Sequence, residues 1–253
     1  MKTVIANWKM NPQSLREAEG IFKSIKKKIL KLKETEVVIC PPSIYVNKLS
    51  TLNKSNLLNL GAQDIFYQEK GSWTGKLSPK MLREIGASFV ILGHSENRQL
   101  GENNEIVNLK IKLALKNRLG PIICIGEKKR DNEGDYFSFL EDQLLSALKG
   151  IGSSFSKKLV IAYEPVWAIG KASKKIIKPK DLLQIVIFIK KILADKYGIE
   201  NLEKIKILYG GSVSPLNVEE LIREGGINGF LVGRDSLIPE NFIKILKIVE
   251  KQF

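Results

Sequence analysis

The chain has 253 residues, of which 43% are apolar, enough to form a substantial buried core and to exclude an intrinsically disordered chain. Its 41 Lys and Arg residues against 27 Asp and Glu residues give a net charge of +14, which favours anionic partners such as nucleic acid, acidic lipid or phosphorylated metabolites. Gln184, Lys190 and Lys191 interrupt the longest apolar run, residues 182–193, so no segment is expected to span a membrane, and residues 1–5 are too short an apolar stretch for a signal peptide.

Short β-branched runs alternate with longer amphipathic segments along the whole chain. The runs recur roughly every 30 residues, the length of one βα unit. They are apolar throughout, as expected of parallel strands that are covered on both faces. The predicted strands are residues 3–7, 37–40, 58–62, 89–93, 122–125, 159–163, 206–209 and 229–232. Because no linker or charge block separates the units, we expect residues 1–253 to form one domain.

The first intervening segment shows a helical pattern. Ser14 and Glu17 predict a capping box at the start of this helix. Two later helices are predicted to begin at the Ser-Pro pairs of residues 78–79 and 214–215, where a capping serine precedes a proline in the first helical position. The apolar stripe of the first helix, at steps of three and four, consists of Leu15, Ala18, Phe22, Ile25, Ile29 and Leu32.

Cys40 and Cys124 each lie at the end of an apolar run. Buried free thiols in a reducing cytosol explain this placement better than a disulfide does. The sequence therefore predicts a cytoplasmic protein.

Eight βα units in a row are compatible with a closed α/β barrel or with a doubly wound open sheet. A barrel of eight units needs about 250 residues, so the length permits it. No Gly-x-Gly-x-x-Gly follows the first strand, which weakens the dinucleotide-binding open sheet. Periodicity alone does not decide between the two.

Polar residues follow the predicted strands at the end where a barrel enzyme carries its chemistry. Each of them has a structural explanation when taken alone: a satisfied histidine, an ion-paired glutamate, a solvated lysine or a glycine turn. Their joint position on one rim favours a catalytic site. They are Asn7 and Lys9 after the first strand, His94, Ser95 and Glu96 after the fourth, Glu164 after the sixth, Ser212 after the seventh, and Gly233 and Arg234 after the eighth.

Glycine turns at residues 210–211 and 233 lead into helical segments. Such turns expose backbone N–H groups near the positive end of a helix dipole, which is a site for an anion such as phosphate. In barrels this site often follows strands seven and eight. Since no metal-ligand cluster and no nucleotide motif is present, we expect no cofactor and predict acid–base chemistry on a small phosphorylated substrate.

Six segments, in order along nearly the whole chain, resemble hallmark segments of the triosephosphate isomerase family. They are residues 6–11 (ANWKMN), 61–64 (GAQD), 89–96 (FVILGHSE), 121–127 (PIICIGE), 162–170 (AYEPVWAIG) and 209–213 (YGGSV). The resemblance implies a single-domain (β/α)8 TIM barrel. It also implies a homodimeric enzyme of glycolysis and gluconeogenesis that interconverts D-glyceraldehyde 3-phosphate and dihydroxyacetone phosphate.

The resemblance also implies the catalytic roles. Glu164 would be the base that moves a proton between C1 and C2, and this family is itself a standard example of a base tuned by its surroundings and paired with a neutral histidine. His94 would polarise the carbonyl group as a neutral imidazole. Lys9 would neutralise the developing enediolate and the phosphate group, with Asn7 assisting. Glu96, with Ser95, would support this network.

The phosphate group would be held by backbone N–H groups, with help from Asn7. Residues 165–177 are expected to form a lid that closes over the substrate. The N–H groups implied by the resemblance are those of Gly170, Ser212, Gly233 and Arg234.

The chain departs from the family pattern at four places. After Gly170 the expected glycine-containing turn is replaced by residues 171–179 (KASKKIIKP), and the second glycine expected after Gly233 is Arg234. Lys76 and Asn97 replace the glutamate and arginine that can pair across the family's dimer. The lid, the phosphate contacts and the interface are therefore the parts expected to differ.

Two alternatives remain at this point. A family member with a changed lid could bind triose phosphate without turnover. A basic barrel could bind nucleic acid, but the chain has no nucleic-acid motif and few aromatic residues placed to stack on bases. We therefore expect a triose phosphate as partner and neither nucleic acid nor a membrane.

Overall fold

The computed structural model describes residues 1–29, 32–53, 58–131, 133–168 and 176–252. Within these ranges eight strands alternate with helices. The strands are β1 (Lys2–Asn7), β2 (Thr35–Cys40), β3 (Leu58–Ala62), β4 (Phe89–Leu92), β5 (Gly120–Ile125), β6 (Val160–Tyr163), β7 (Lys206–Tyr209) and β8 (Gly229–Val232). All eight predicted strands are confirmed, with ends that differ by at most two residues.

The helices lie between the strands and cover them. The α-helices are α1 (Leu15–Ile29), α2 (Ser43–Leu52), α3 (Pro79–Glu84), α4 (Ser95–Gln99), α5 (Asn104–Lys116), α6 (Asp135–Ala147), α7 (Pro179–Tyr197), α8 (Ile199–Leu202), α9 (Val218–Glu224) and α10 (Pro239–Glu250). Short 3₁₀ helices cover Ser153–Lys158, Val166–Ala168 and Arg234–Leu237.

The eight strands form a closed parallel barrel in sequence order, so the open-sheet alternative is excluded. β1 closes the barrel by pairing with β8, and Thr3 lies opposite Gly229 in that register. Gly229 has a φ of +149°, and a Cβ atom there would lie 1.8 Å from the carbonyl oxygen of Thr3. The closing strand pair therefore requires glycine at this position.

Alternation of side chains along each strand divides the core into two layers. One layer fills the barrel and includes Ile5, Ile91, Cys40 and Cys124, and the other lies between the strands and the helices. Both cysteines are buried free thiols, as predicted. Burial raises the pKa of the Cys40 thiol above its ordinary value, which keeps it protonated and unreactive.

The predicted helix starts are confirmed in two cases and wrong in one. The Ser14 hydroxyl accepts a hydrogen bond from the N–H of Glu17 (3.2 Å), although the reciprocal bond of the predicted capping box, from the N–H of Ser14 to the Glu17 carboxylate, is not among the hydrogen bonds of the described residues. Ser78 caps α3 through the N–H of Met81 (3.2 Å). The Ser-Pro pair at residues 214–215 does not start a helix, because α9 begins at Val218.

The reason for this later start is a turn closed by Asn217. Its side-chain oxygen accepts a hydrogen bond from the N–H of Ser214 (3.0 Å), and its amide group donates to the carbonyl group of Ser212 (2.8 Å). This turn occupies the residues that the Ser-Pro rule assigned to the helix.

In α1, Leu15 is 42% exposed, so the apolar stripe begins one turn later than predicted.

No helix in the described part of the chain is long and apolar enough to cross a membrane.

Candidate active site

A cavity of about 730 Å³ opens at the carboxyl ends of the strands. The sequence-predicted residues that line it are Asn7, Lys9, His94, Glu164, Ser212, Gly233 and Arg234. Closure of the barrel is what brings these residues together, since they come from five loops spread over more than 220 positions, from residue 7 to residue 234. Gly170 and most of the predicted lid lie outside the described residues.

Glu164 and His94 form a buried pair at the bottom of this cavity. Glu164 follows β6 directly, and its side chain is 3% exposed. Its Oε1 atom lies 3.2 Å from Nε2 of His94, and its Oε2 atom accepts a hydrogen bond from the N–H of Ser95 at 3.3 Å. Both carboxylate oxygens are therefore held in place by the segment that follows β4.

The tautomer of His94 follows from its position immediately before α4. Its Nδ1 atom accepts a hydrogen bond from the backbone N–H of Glu96 (3.2 Å). In the neutral imidazole the proton must then be on Nε2, which faces Glu164 and the cavity. A second proton on Nδ1 would break the bond to Glu96 and place two N–H groups against each other.

The pKa of His94 depends on the charge of Glu164. Burial lowers this pKa, but the carboxylates of Glu164 and Glu96 outweigh burial and raise it above its ordinary value. This upward shift requires an ionised Glu164. Protonation of Glu164 removes the largest upward contribution to this pKa. Burial and the charge of Lys9 then act against the charge of Glu96, while the contact of Nδ1 with the N–H of Glu96 favours the neutral imidazole.

Lys9 reaches the cavity from a strained backbone position. Its φ is +54°, a conformation that is uncommon for residues other than glycine. Its N–H bonds to the side chain of Asn7 (3.1 Å), and its carbonyl oxygen accepts a bond from the amide of Gln63 (2.8 Å). Its Nζ atom lies 2.5 Å from Oε1 of Glu96, so the ammonium group is anchored at the rim of the cavity.

The other end of the cavity carries groups suited to an anion. In the described part of the chain, no acceptor pairs with the backbone N–H of Ser212 or of Gly233. The Ser212 hydroxyl donates to the carbonyl group of Ala168 (2.8 Å), which ties this loop to the segment after β6. Arg234 is exposed at the cavity rim, and no described carboxylate pairs with its guanidinium.

Sequence reasoning missed polar residues that bind the loops around the cavity without lining it. The Glu127 carboxylate accepts hydrogen bonds from Tyr163 (2.8 Å), Trp167 (2.7 Å) and Arg130 (3.1 Å), all through Oε1. Gln63 belongs to one of the family-like segments, but no role was predicted for it. A polar residue within two positions of the end of an apolar strand was the available signal for both Gln63 and Glu127.

In the described residues, no group of three or more His, Cys, Asp or Glu side chains is arranged to hold a metal ion. The charged or titratable side chains that line the cavity are those of Lys9, His94, Glu164, Arg234 and Asp235.

Comparison with known proteins agrees with this geometry. The family model for triosephosphate isomerase matches residues 2–249. A triosephosphate isomerase of Endomicrobium trichonymphae is 41% identical over 95% of this chain and 96% of its own length, and one of Alkaliphilus oremlandii is 40% identical over 97% and 98%. The crystal structure of triosephosphate isomerase from Bartonella henselae superposes with a TM-score of 0.83 at 32% identity, covering 98% of each chain. With this barrel, this cavity and relatives at this level of identity, the chain belongs to the triosephosphate isomerase family.

Proposed function

We propose that the chain interconverts D-glyceraldehyde 3-phosphate and dihydroxyacetone phosphate, with Glu164 as the base that moves a proton between C1 and C2. Family membership over nearly the whole chain carries the activity itself. The assignment of roles depends on one observation. The Glu164 carboxylate and the Nε2 atom of His94 meet 3.2 Å apart inside the cavity.

Glu164 and His94 carry out different proton transfers in the reaction. Glu164 removes a proton from C1 of dihydroxyacetone phosphate, and the electron pair of the broken C–H bond forms the C1–C2 double bond of an enediolate. The C2 carbonyl oxygen takes the negative charge, and the Nε2–H of His94 stabilises that charge and passes protons between the two oxygens. Glu164 then returns its proton to C2, which gives glyceraldehyde 3-phosphate.

Lys9 supplies the positive charge for this intermediate. Its ammonium group is held by Glu96 at the cavity rim, and its backbone is held by Asn7 and Gln63. A charge positioned in advance stabilises an enediolate without reorganisation during the reaction. Glu96 and Ser95 therefore act by holding Lys9, His94 and Glu164 rather than by contacting substrate.

The phosphate group is expected to bind at the opposite end of the cavity. The N–H groups of Ser212 and Gly233 and the side chain of Asn7 are available there, with Arg234 at the rim. Gly170 and a lid over residues 165–177 belong to the same proposal, because closure would exclude water from the enediolate.

A homodimer is the assembly that we propose. The loop from Phe66 to Leu77 is closed at its base by a bond from the N–H of Phe66 to the carbonyl group of Leu77 (2.9 Å), and Trp73 at its tip is 44% exposed. Beside it lies a cavity of about 600 Å³ whose apolar lining includes Met10 and Leu100, which are 83% and 87% exposed. A protruding aromatic loop next to a cavity with exposed apolar side chains is suited to a two-fold interface, in which the loop of each copy enters the cavity of the other.

This interface would not use the family's ion pair. Lys76 lies 5.9 Å from the ring centroid of Phe66 in its own loop, and Asn97 lines the neighbouring cavity without a charge. We therefore expect apolar contacts to contribute most of the interface energy. We also propose that residues 1–253 are one domain and that the protein is cytoplasmic, which agrees with two buried free thiols.

A coupled assay with each triose phosphate tests the activity, with a chelator present to remove metal ions. We expect rapid conversion in both directions. Tight equilibrium binding of triose phosphate without conversion would instead support the binding-only alternative. A salt-titrated binding measurement with duplex and single-stranded nucleic acid tests the remaining alternative, and we expect only weak binding that disappears at physiological salt.

A further inference from the structure

Arg98 lies near the catalytic pair but does not line the substrate cavity. It is a residue of α4, one turn after His94, and its side chain is partly buried. Its Nε atom donates to the carbonyl oxygen of Gly93 (2.8 Å), and its Nη1 atom donates to the side-chain oxygen of Asn104 (2.7 Å). The guanidinium therefore connects α4 to the end of β4 and to the start of α5.

Gly93 is the residue that sets the direction of His94. Its φ of +70° turns the chain out of β4, and a Cβ atom there would lie 3.0 Å from Nη2 of Arg98 and 3.2 Å from the carbonyl oxygen of Cys124. Its N–H donates to the carboxylate of Glu102 (3.1 Å), while its carbonyl group accepts the bond from Arg98. Charged side chains thus hold both polar groups of the residue immediately before His94.

The Arg98 side chain also lines a cavity together with Glu164. A small cavity of about 30 Å³ is lined by Arg98, Ser95, Gly126 and Glu164, and it is separate from the substrate cavity. Burial lowers the pKa of Arg98, and the nearby acidic groups of Cys124, Glu102 and Glu164 partly offset this shift. Arginine remains charged under such conditions. Arg98 and Glu164 therefore share the lining of a cavity that is distinct from the substrate cavity.

We propose that Arg98 is a positioning residue for both members of the acid–base pair. Its hydrogen bond to Gly93 holds the His94 imidazole in place. Its charge stabilises the ionised Glu164 carboxylate from outside the substrate cavity. Neither action requires contact with substrate. The proposal builds on the roles proposed for Glu164 and His94, but it includes a measurement that does not depend on turnover.

Two substitutions separate the hydrogen bond from the charge. Arg98→Lys keeps the positive charge and loses the planar fork that reaches Gly93 and Asn104 together. Arg98→Met loses both. Because a misplacement of about 1 Å can cost on the order of a hundredfold in rate, we expect kcat to fall about tenfold in both variants, with KM changed less than about twofold.

The pH dependence of kcat/KM reports the effect of the Arg98 charge. The acidic limb of kcat/KM should move to higher pH in Arg98→Met, since loss of a nearby positive charge favours the protonated carboxyl group, and it should stay in place in Arg98→Lys. The substrate phosphate titrates identically in all variants. The other charged or titratable groups around the pair, unchanged in both variants, are Cys124, Lys9, Glu96, Glu102 and Lys128.

The position of His94 can be measured directly because it is the only histidine of the chain. In protein with ¹⁵N-labelled histidine, the Nδ1 and Nε2 signals should shift in both Arg98 variants. Arg83→Met is the matched control, since Arg83 also donates to a backbone carbonyl group, that of Ala87 (3.2 Å), but lies away from the site. It should lower stability only.

Unchanged His94 signals and unchanged kcat in Arg98→Met would overturn the positioning role. An acidic limb that moves equally in Arg98→Lys and Arg98→Met would overturn the charge role. If Arg98→Met does not fold, Arg98→Lys still decides the positioning role through the His94 signals. A wild-type chain without isomerase activity would refute the proposed function, while the His94 signals would still report on Arg98.

Discussion

At the residue scale, the role proposed for Glu164 depends on the position of its carboxylate. That group is 3% exposed and held between His94 and Ser95, so it has little freedom to adjust to a shorter side chain. Glu164→Asp withdraws it by one methylene group, about 1 Å, and kcat should fall on the order of a hundredfold while KM changes far less. Steady-state kinetics in both directions measure this. Near-normal turnover would show that another group is the base.

Arg234 lines the substrate cavity at the position where the family resemblance implies a second glycine. Its exposed guanidinium at the rim should contact the phosphate group in addition to the backbone N–H groups. Arg234→Gly should raise KM about fivefold with kcat nearly unchanged, since an exposed charge contact contributes about 1 kcal/mol. KM and inhibition by inorganic phosphate, measured at several salt concentrations, should lose part of their salt dependence.

Lys244→Gln is the control for that experiment, because Lys244 is an exposed cation of α10 and does not line the cavity. If Arg234→Gly and Lys244→Gln change KM and its salt dependence by the same amount, the guanidinium of Arg234 makes no specific contact with phosphate.

At the scale of secondary-structure elements, Glu250 connects the end of α10 to the segment before β2. Its carboxylate accepts hydrogen bonds from the N–H groups of Lys33 (2.6 Å) and Glu34 (3.2 Å) and from the hydroxyl of Thr35 (2.6 Å). Although burial raises its pKa, these bonds outweigh burial and lower the pKa of Glu250 below the ordinary 4.5. A depressed pKa means stability that is present above the unfolded value and lost as pH falls through the folded value.

Glu250→Gln should therefore lower the free energy of unfolding by about 1 kcal/mol at neutral pH. Denaturant unfolding at a series of pH values should show this difference shrinking as the pH falls below the ordinary 4.5 and through the lowered pKa of folded Glu250, because both proteins then carry a neutral group. Glu203→Gln, at an exposed position with no side-chain hydrogen bond among the described residues, should change stability by only a few tenths of a kcal/mol. A difference that persists undiminished at low pH would contradict the role of the ionised carboxylate.

At the scale of the whole molecule, the loop from Phe66 to Leu77 is expected to join two copies. The ring of Trp73 lies 5.0 Å from that of Phe66, so the exposed tip of the loop has a defined aromatic shape that a partner can bury. Replacing Trp73 and Thr74 by glutamate should give monomers with little activity, as judged by sedimentation and by the coupled assay. Ile199→Glu, at a 72% exposed apolar position of α8, should leave mass and activity unchanged. Fully active monomers of the Trp73 and Thr74 variant would disprove the dimer.

The sequence by itself predicted the eight strands and the polar residues that follow them. Apolar runs and strand-end polar residues depend on local spacing, so eight strands, Lys9, His94 and Glu164 could be named before any contact was known. Barrel closure was not determined locally, because the β1–β8 pairing joins residues more than 220 positions apart. The start of α9 also needed the structure, since the side chain of Asn217 outcompeted the Ser-Pro signal.

The tertiary structure alone decided which groups act on one another. The proton of His94 is placed by an N–H of Glu96, the strained backbone of Lys9 is held by Gln63, and Arg98 supports Gly93 from outside the substrate cavity. These arrangements depend on distances of about 3 Å between loops that follow different strands, and hydrogen bonds lose their strength within a few tenths of an ångström. No spacing along the chain encodes such distances, because they arise only when the barrel closes and brings its loops onto one rim.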